Sequence, residues 1–188
     1  MMRVLYVVTT NLGKLNELRI MAHESNIELI PVNVPKLEIQ SDDLEVIASY
    51  AALTASAFIN KDLIVEDSGL FIKALNGFPG SMSSQVLRKL GVNGILKLME
   101  GLVDREAYFK SVIAYYSPDH GVRLFHGVVY GEISTNARGS SGFGFDPIFI
   151  PKGSNKTFAE MCLEEKNKLS HRGVAFRKFV EWFNNIFK

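Results

Sequence analysis

An acidic pair followed by a serine, Glu66-Asp67-Ser68, stands where an apolar run over residues 63–66 meets polar sequence. Carboxylates can hold Mg²⁺, which prefers oxygen ligands, and one of them could take a proton from an attacking water. Adjacent side chains on a strand point to opposite faces, so the two acids do not both face one ion unless the strand has already ended. A turn with solvated acids explains the same residues equally well. A further acid, Glu38, carries little information by itself.

A polar segment near the N-terminus joins an apolar run to a helical pattern. It consists of Thr9, Thr10, Asn11, Leu12, Gly13 and Lys14. Free N–H groups at the start of a helix attract anions, and Lys14 adds a full positive charge. The glycine spacing of a Walker A loop is absent. The segment therefore predicts either a phosphate site or only a capped helix with a surface lysine.

A glycine-rich loop late in the chain carries two aromatic residues. Its sequence is Gly142-Phe143-Gly144-Phe145-Asp146-Pro147. Aromatic rings in an exposed loop can stack on a base, and this is one of two interpretations. The other is that both rings fold back into the core.

Three basic side chains, Lys166, His171 and Arg172, lie at or shortly before the start of the last helical pattern. Positive charge at a helix start opposes the helix dipole. A bound anion would remove this conflict. A helix can also tolerate such an end, at a cost under about 1 kcal/mol. Because three basic residues cluster here, we favour the bound anion.

The elements that must position these residues follow from apolar periodicity. Strands are expected at 2–8, 27–34 and 63–66, and a long hairpin is expected over 105–117 and 121–135. Helices are expected at 15–25 and 43–60, then as two short pieces at 86–91 and 94–102, with a final helix after residue 170. Five side chains should line one face of that helix: Phe176, Phe179, Val180, Phe183 and Phe187. This order predicts an α/β fold with a mixed sheet.

Two of the helical patterns define apolar faces. In the first helix these residues are Leu15, Leu18, Met21 and Ala22. In the second they are Leu44, Ile47, Ala48, Ala51, Ala55 and Phe58. The first set recurs at helical spacing, and the second set shares one face of an amphipathic helix.

Composition limits the class of protein. The 188 residues fit one domain, and 21 basic against 20 acidic residues give a net charge of +1, which argues against a long nucleic-acid surface. The single cysteine, Cys162, excludes an intramolecular disulfide and suits a reducing compartment. The N-terminal apolar run is too short for a signal peptide or a membrane span. We therefore expect a cytoplasmic protein with no membrane partner.

Seven sequence segments in this order resemble the inosine triphosphate pyrophosphatase family. They are TTNLGK (9–14), LEIQ (37–40), VEDSGL (65–70), GFPG (77–80), GFGFDPIF (142–149), TFAEM (157–161) and EEKNKLSHRG (164–173). The resemblance implies a single elongated α/β domain with a central mixed β-sheet, two lobes and a cleft between them. It also implies a homodimer. The implied reaction is hydrolysis of non-standard purine nucleoside triphosphates (ITP, dITP, XTP) to monophosphate and pyrophosphate, with Mg²⁺, or Mn²⁺ as the alternative, as cofactor.

The resemblance also implies a role for each segment. Residues 9–14 would hold the triphosphate, Glu38 and Asp67 would serve the metal, and Asp67 would accept the proton of the attacking water. Ser68 would contact substrate. The base and sugar would be framed by Phe143, Gly144, Phe145 and Asp146, and the pocket would be completed by Lys166, His171 and Arg172. Selectivity would come from a hydrogen-bond donor, supplied by Arg172 or a loop N–H and aimed at the 6-oxo group of the base. ATP carries an amino group at that position, so it would leave the donor without a partner.

The sequence departs from relatives at two places. Phe145 stands where many carry Tyr or Trp, and Ser83-Ser84-Gln85 stand where some carry a basic residue. Arg88 and Lys89 lie nearby without an assigned role. Two alternatives remain: a pyrophosphatase for pyrimidine triphosphates on a similar fold, and a nucleotide-binding module without catalysis.

Overall fold

The computed structural model describes residues 2–35, 37 and 39–186. Its strands are β1 Arg3–Val8, β2 Ile27–Val32, β3 Leu63–Ile72, β4 Pro79–Gly80, β5 Glu106–Ser117, β6 Gly121–Ile133 and β7 Phe149–Pro151. Its helices are α1 Leu12–Glu24, α2 Leu44–Ser56, α3 Ser83–Leu98, α4 Leu163–Leu169 and α5 His171–Ile186. Short 3₁₀ turns cover Lys73–Leu75, Asp146–Ile148 and Phe158–Glu160.

Within these residues the strands form one mixed sheet in the order β2-β1-β3-β5-β6-β7, and β4 pairs with β3. β1 is parallel to β2 and β3, whereas the pairs β3–β5, β5–β6 and β6–β7 are antiparallel. The predicted hairpin is β5 and β6. The α/β class and the mixed sheet are thus confirmed.

A gap opens in the sheet between β1 and β3. These two strands pair only at Tyr6 with Leu63 and Val7 with Ile64, whereas β3 pairs with β5 along all ten of its residues. After Ile64, therefore, β3 leaves β1 and follows β5. The loop from β1 to α1 begins at this gap, as expected for the ends of strands in an α/β sheet.

The apolar periodicity predicted the core of the N-terminal part well. Leu15, Leu18, Met21 and Ala22 of α1 are buried in one cluster with Phe176, Phe179 and Phe183 of α5. The predicted helical faces at these positions are confirmed. Phe187, which was assigned to the same face, lies outside the described residues.

Several predicted boundaries were wrong. β3 does not end at the acids but continues to Ile72, because β5 supplies hydrogen-bond partners for its whole length. The second strand ends at Val32. α2 ends at Ser56, so Phe58 lies beyond the helix and is exposed rather than buried.

Two glycines mark special positions. The two short helices predicted after residue 85 form one segment, α3, with a kink at Gly91, whose φ of 66° is non-helical. Gly127 of β6 lies against the first turn of α5, where a Cβ atom would stand 1.9 Å from the carbonyl oxygen of His171. Only glycine allows α5 to approach the sheet this closely.

None of the helices in the described ranges is long and apolar enough to cross a bilayer.

Candidate active site

Two adjoining cavities lie at the gap in the sheet. The aromatic cavity has a volume of about 90 Å³ and is lined by Asn11, Ser68, Gly69, Ser83, Ser84, Leu87, Phe109, Phe143, Gly144, Phe145, Asp146, Lys166, His171 and Arg172. The polar cavity has a volume of about 170 Å³ and is lined by Thr9, Thr10, Asn11, Lys14, Ile39, Ile47, Ala51, Val65, Glu66, Asp67, Ser81, Ser84, Gln85 and Arg88. Asn11 and Ser84 line both.

Most of the residues singled out in the sequence meet at these cavities. Residues 143–146, Ser68, Lys166, His171 and Arg172 line the aromatic cavity. Thr9, Thr10, Lys14 and Asp67 line the polar cavity. Two of the predicted residues line neither cavity. Leu12 is 73% exposed, and Gly13 lies beneath the Phe143 ring. Glu38 lies outside the described residues.

The β1–α1 loop is held by local hydrogen bonds. The Asn11 side chain caps α1 by accepting a bond from the Lys14 backbone N–H at 3.1 Å, and the Thr9 hydroxyl accepts one from the Asn11 N–H at 3.1 Å. Asn11 therefore acts as the helix cap that the sequence allowed. Capping turns the loop so that Thr10 and Lys14 reach the polar cavity.

The acidic pair Glu66-Asp67 sits in the middle of β3, and both residues line the polar cavity. Glu66 is buried and its Oε2 lies 2.8 Å from Lys14 Nζ, whereas Asp67 is partly exposed and its Oδ1 lies 4.0 Å from the same nitrogen. Burial opposes ionisation of Glu66, but the Arg172 and Lys14 cations outweigh it and hold its pKa well below the ordinary value. Glu66 is thus a fixed anion held by internal cations, and Asp67 is the more exposed of the two acids that line the polar cavity.

A buried chain of charges runs beneath both cavities. It consists of Lys14, Glu66, Arg172, Glu17, Lys166 and Asp146. Glu66 forms an ion pair with Arg172 at 3.1 Å, Glu17 contacts both Arg172 and Lys166, and Lys166 contacts Asp146 at 2.5 Å. Three cations balance three carboxylates, so the chain is neutral.

This chain of charges corrects one sequence-based expectation. A bound anion was expected to compensate the basic residues near the start of α5. Instead, internal carboxylates compensate Lys166 and Arg172, and Lys166 lies in α4 rather than at the start of α5. Burial opposes ionisation of Glu17 as well, yet Arg172 and Lys166 keep its pKa below the ordinary value.

Glu17 was missed by the sequence analysis although a signal for it existed. It stands four residues before Met21, and so it shares the face of α1 that the apolar periodicity predicts to be buried. A carboxylate on such a face needs a cationic partner. The periodicity could therefore have marked Glu17 as part of a buried ionic group, although not its partners.

His171 forms one wall of the aromatic cavity. Its ring stacks on Phe109 with centroids 4.6 Å apart. Burial, with the neighbouring Arg172 cation, lowers the pKa of His171 well below its ordinary value. The ring is therefore neutral at pH 7 and can both donate and accept a hydrogen bond.

The two loop phenylalanines have different surroundings. Phe143 packs over Gly13, where a Cβ atom would stand 2.4 Å from the ring, and lies 4.8 Å from Lys166 Nζ and 5.4 Å from the Arg172 guanidinium carbon. Phe145 is 3% exposed and belongs to the core cluster, although it also lines the aromatic cavity. For Phe145 the core interpretation is closer to the structure.

The polar cavity offers oxygen atoms and positive charge together. Asp67 supplies a carboxylate, and Thr9, Thr10 and Ser81 supply hydroxyls beside Lys14. In the part of the chain that the structure describes, no three His, Cys, Asp or Glu side chains converge on one point. Such a donor set does not suit a metal caged by protein, but it suits Mg²⁺, which takes one or two carboxylates and completes its shell with water and phosphate.

Comparison with known proteins gives consistent matches over almost the whole chain. A dITP/XTP pyrophosphatase from Hyperthermus butylicus is 48% identical over 180 residues, which cover 96% of this chain and 94% of that protein. A dITP/XTP pyrophosphatase from Pyrococcus horikoshii is 48% identical, with 95% of each chain covered. The solved structure of a HAM1 protein from Coxiella burnetii is 32% identical, superposes with a TM-score of 0.86, and covers 98% of this chain and all of its own.

The family model that matches this chain spans residues 5–182, which includes both cavities and the buried chain of charges. The chain therefore belongs to the Ham1 family.

Proposed function

We propose that this protein hydrolyses non-standard purine nucleoside triphosphates (ITP, dITP and XTP) to the monophosphate and pyrophosphate, and so removes them from the nucleotide pool. The observation that carries this proposal is the pair of joined cavities, one lined by aromatic rings and the other by Lys14 and Asp67. The names of the Hyperthermus and Pyrococcus relatives support it.

The residues that line the two cavities suit the two ends of such a substrate. The base would lie in the aromatic cavity near Phe143 and His171, and the triphosphate would lie in the polar cavity. The α-phosphate would then lie near Asn11 and Ser84, because these residues line both cavities. This is where the reacting bond would be held.

The reaction needs a base for water and charge to hold the phosphates. Asp67 would take a proton as the water oxygen bonds to the α-phosphorus. The bond from that phosphorus to the bridging oxygen breaks, and pyrophosphate leaves with the electron pair. Lys14 would stabilise the negative charge, and the hydroxyls of Thr9 and Thr10 would orient phosphate oxygens.

Mg²⁺, with Mn²⁺ as an alternative, is the cofactor we propose. Asp67 would be one ligand, and Glu38 is proposed as a second. When bound, the ion would neutralise phosphate charge and favour departure of pyrophosphate. Lys14 Nζ lies 4.0 Å from Asp67, so the carboxylate remains oriented by a nearby cation.

Choice of base would depend on hydrogen-bond donors, because stacking accepts any purine. Arg172 Nε and His171 Nδ1 are buried, and among the described residues neither has a hydrogen-bond partner. A 6-oxo purine would offer an acceptor to such donors, whereas the 6-amino group of ATP would not. Leaving a buried donor unpaired costs about 1–3 kcal/mol.

The test is a pyrophosphate-release assay over all standard and non-standard NTPs and dNTPs. We expect ITP, dITP and XTP to be hydrolysed in clear preference to ATP. Chromatography should give IMP and pyrophosphate as the first products. If dTTP or UTP were the preferred substrate, or if IDP appeared first, the proposed function would be wrong.

Activity should depend on a divalent cation. We expect excess chelator to abolish ITP hydrolysis, since the phosphates would enter a cavity that contains Glu66 and Asp67 without a compensating ion. Adding Mg²⁺ or Mn²⁺ back should restore the rate. Complete hydrolysis of ITP in excess chelator would contradict the proposed cofactor.

A homodimer and a cytoplasmic location are further proposals, which rest on the family resemblance and on the single cysteine.

A further inference from the structure

Helix α3 presents different side chains to the two cavities. Ser84 lines both, Leu87 lines only the aromatic cavity, and Gln85 and Arg88 line only the polar cavity. Ser84 and Arg88 are one helical turn apart, so Arg88 is about 6 Å farther along α3 than the junction of the cavities. Arg88 therefore lies where α3 borders the polar cavity and not the aromatic cavity.

Arg88 differs from the other cations of the site because it has no carboxylate partner. Lys14 contacts Glu66, and Lys166 and Arg172 both contact Glu17. Among residues 2–35, 37 and 39–186, no hydrogen bond or ion pair engages the Arg88 side chain, and it is exposed. Its charge is available to a ligand without breaking an internal contact.

The charge balance of the polar cavity depends on Arg88. The described charged residues that line it are Lys14, Arg88, Glu66 and Asp67. Without Arg88 one cation would face two carboxylates, and the cavity would repel a polyphosphate. A guanidinium also suits phosphate, because its planar fork can donate two parallel hydrogen bonds.

We propose that Arg88 binds the terminal phosphates of the substrate, which leave as pyrophosphate. This inference rests on the proposed function, because that function puts the α-phosphate at the junction of the cavities. The β- and γ-phosphates then extend along α3 toward Arg88. Arg88 binds the leaving group, holds its charge as the bond breaks, and makes no contact with the base or the sugar.

The experiment compares Arg88→Ala and Arg88→Lys with Lys89→Ala, a matched control because Lys89 is an exposed neighbour that lines neither cavity. At fixed Mg²⁺, kcat/KM for ITP and the inhibition constants of pyrophosphate and IMP are measured. We expect Arg88→Ala to lower kcat/KM roughly tenfold to a hundredfold and to weaken pyrophosphate inhibition by a similar factor. IMP inhibition should not change. For Arg88→Lys, both kcat/KM and the pyrophosphate inhibition constant should lie between the values of the wild type and of Arg88→Ala. Lys89→Ala should match the wild type in all three quantities.

Two results would overturn the inference. One is pyrophosphate affinity in Arg88→Ala equal to that of the wild type. The other is an equal loss of IMP and pyrophosphate binding, which would indicate a general disturbance of the site. If the wild type did not hydrolyse ITP, the proposed function would be wrong, but that result would not decide the role of Arg88. Calorimetric titration of pyrophosphate into the wild type and Arg88→Ala would still decide the role of Arg88, and absent or equal binding would reject it.

Discussion

Asp67→Asn is expected to lower kcat for ITP at least about a hundredfold while the fold stays intact, since loss of a general base typically costs that much. Asparagine has nearly the same shape, but it cannot take the proton of water and it is a weaker ligand for Mg²⁺. The Asp67 side chain is 26% exposed and lies 4.0 Å from Lys14, so this contact contributes little to folding stability. The measurement is kcat at saturating ITP, together with a thermal melt.

Glu66→Gln is the contrasting variant. The Glu66 side chain is 2% exposed, and it contacts Lys14, Arg172 and the Ser111 hydroxyl. Its replacement should therefore lower the melting temperature, whereas Asp67→Asn should not. If Asp67→Asn kept near wild-type kcat, another group would have to act as the base.

Local patterns in the sequence predicted much of the fold. The β1–α1 junction, the β5–β6 hairpin and the buried faces of α1 and α5 all follow from periodicities that span a few residues. The prediction that Phe58 belongs to the buried face of α2 was wrong, because the apolar pattern continues past the residue where α2 ends. The prediction that β3 ends at residue 66 was also wrong. Polar residues in 66–69 interrupt the apolar run, but the pairing of β3 with β5 continues through them.

The organisation of the site could be predicted only in part. The motifs identify most of the residues that line the two cavities, because polar and aromatic side chains in loops are visible in the sequence. The partners of those residues are not visible. Glu17 bonds Lys166 across 149 positions and Arg172 across 155, and no local pattern encodes such distances. Only the folded chain brings these residues together.

Glu17 changes the interpretation of the basic residues near α5. Charge at a helix start indicated an external anion, but the helix dipole effect is worth only about 0.3–1 kcal/mol at exposed sites. An unpaired buried cation would cost far more, so an internal carboxylate is the stronger requirement. The internal contacts also fix the direction of the Arg172 guanidinium, as its Nη2 donates to Ser68 Oγ at 3.1 Å. The same residue is thereby positioned to contact a base.

Arg172→Ala is expected to lower the free energy of unfolding by about 3 kcal/mol. Removing one partner of a buried ion pair typically costs about 3–5 kcal/mol. We expect the lower end because Glu17 keeps Lys166 and Glu66 keeps Lys14. Denaturant unfolding measures this loss. Arg177→Ala is the control, because among the described residues Arg177 donates only to the backbone carbonyls of Asn167 and Lys168. A loss no larger than in that control would contradict the importance of the buried charges.

Arg172→Ala should also lower kcat/KM for ITP and XTP. The ratio of kcat/KM for ITP to that for ATP should fall about tenfold to a hundredfold, because one unpaired buried donor is worth about 1–3 kcal/mol. Arg172→Lys separates this effect from instability. Lysine retains a positive charge for Glu17 and Glu66 but lacks the planar fork that reaches Ser68 and the base. We therefore expect Arg172→Lys to unfold nearer to the wild type while still losing preference for ITP. The ratio of kcat/KM for ITP to that for ATP is the measurement. A phosphate role for Arg172 would lower both values equally, and an unchanged ratio in Arg172→Lys would reject Arg172 as the residue that selects the base.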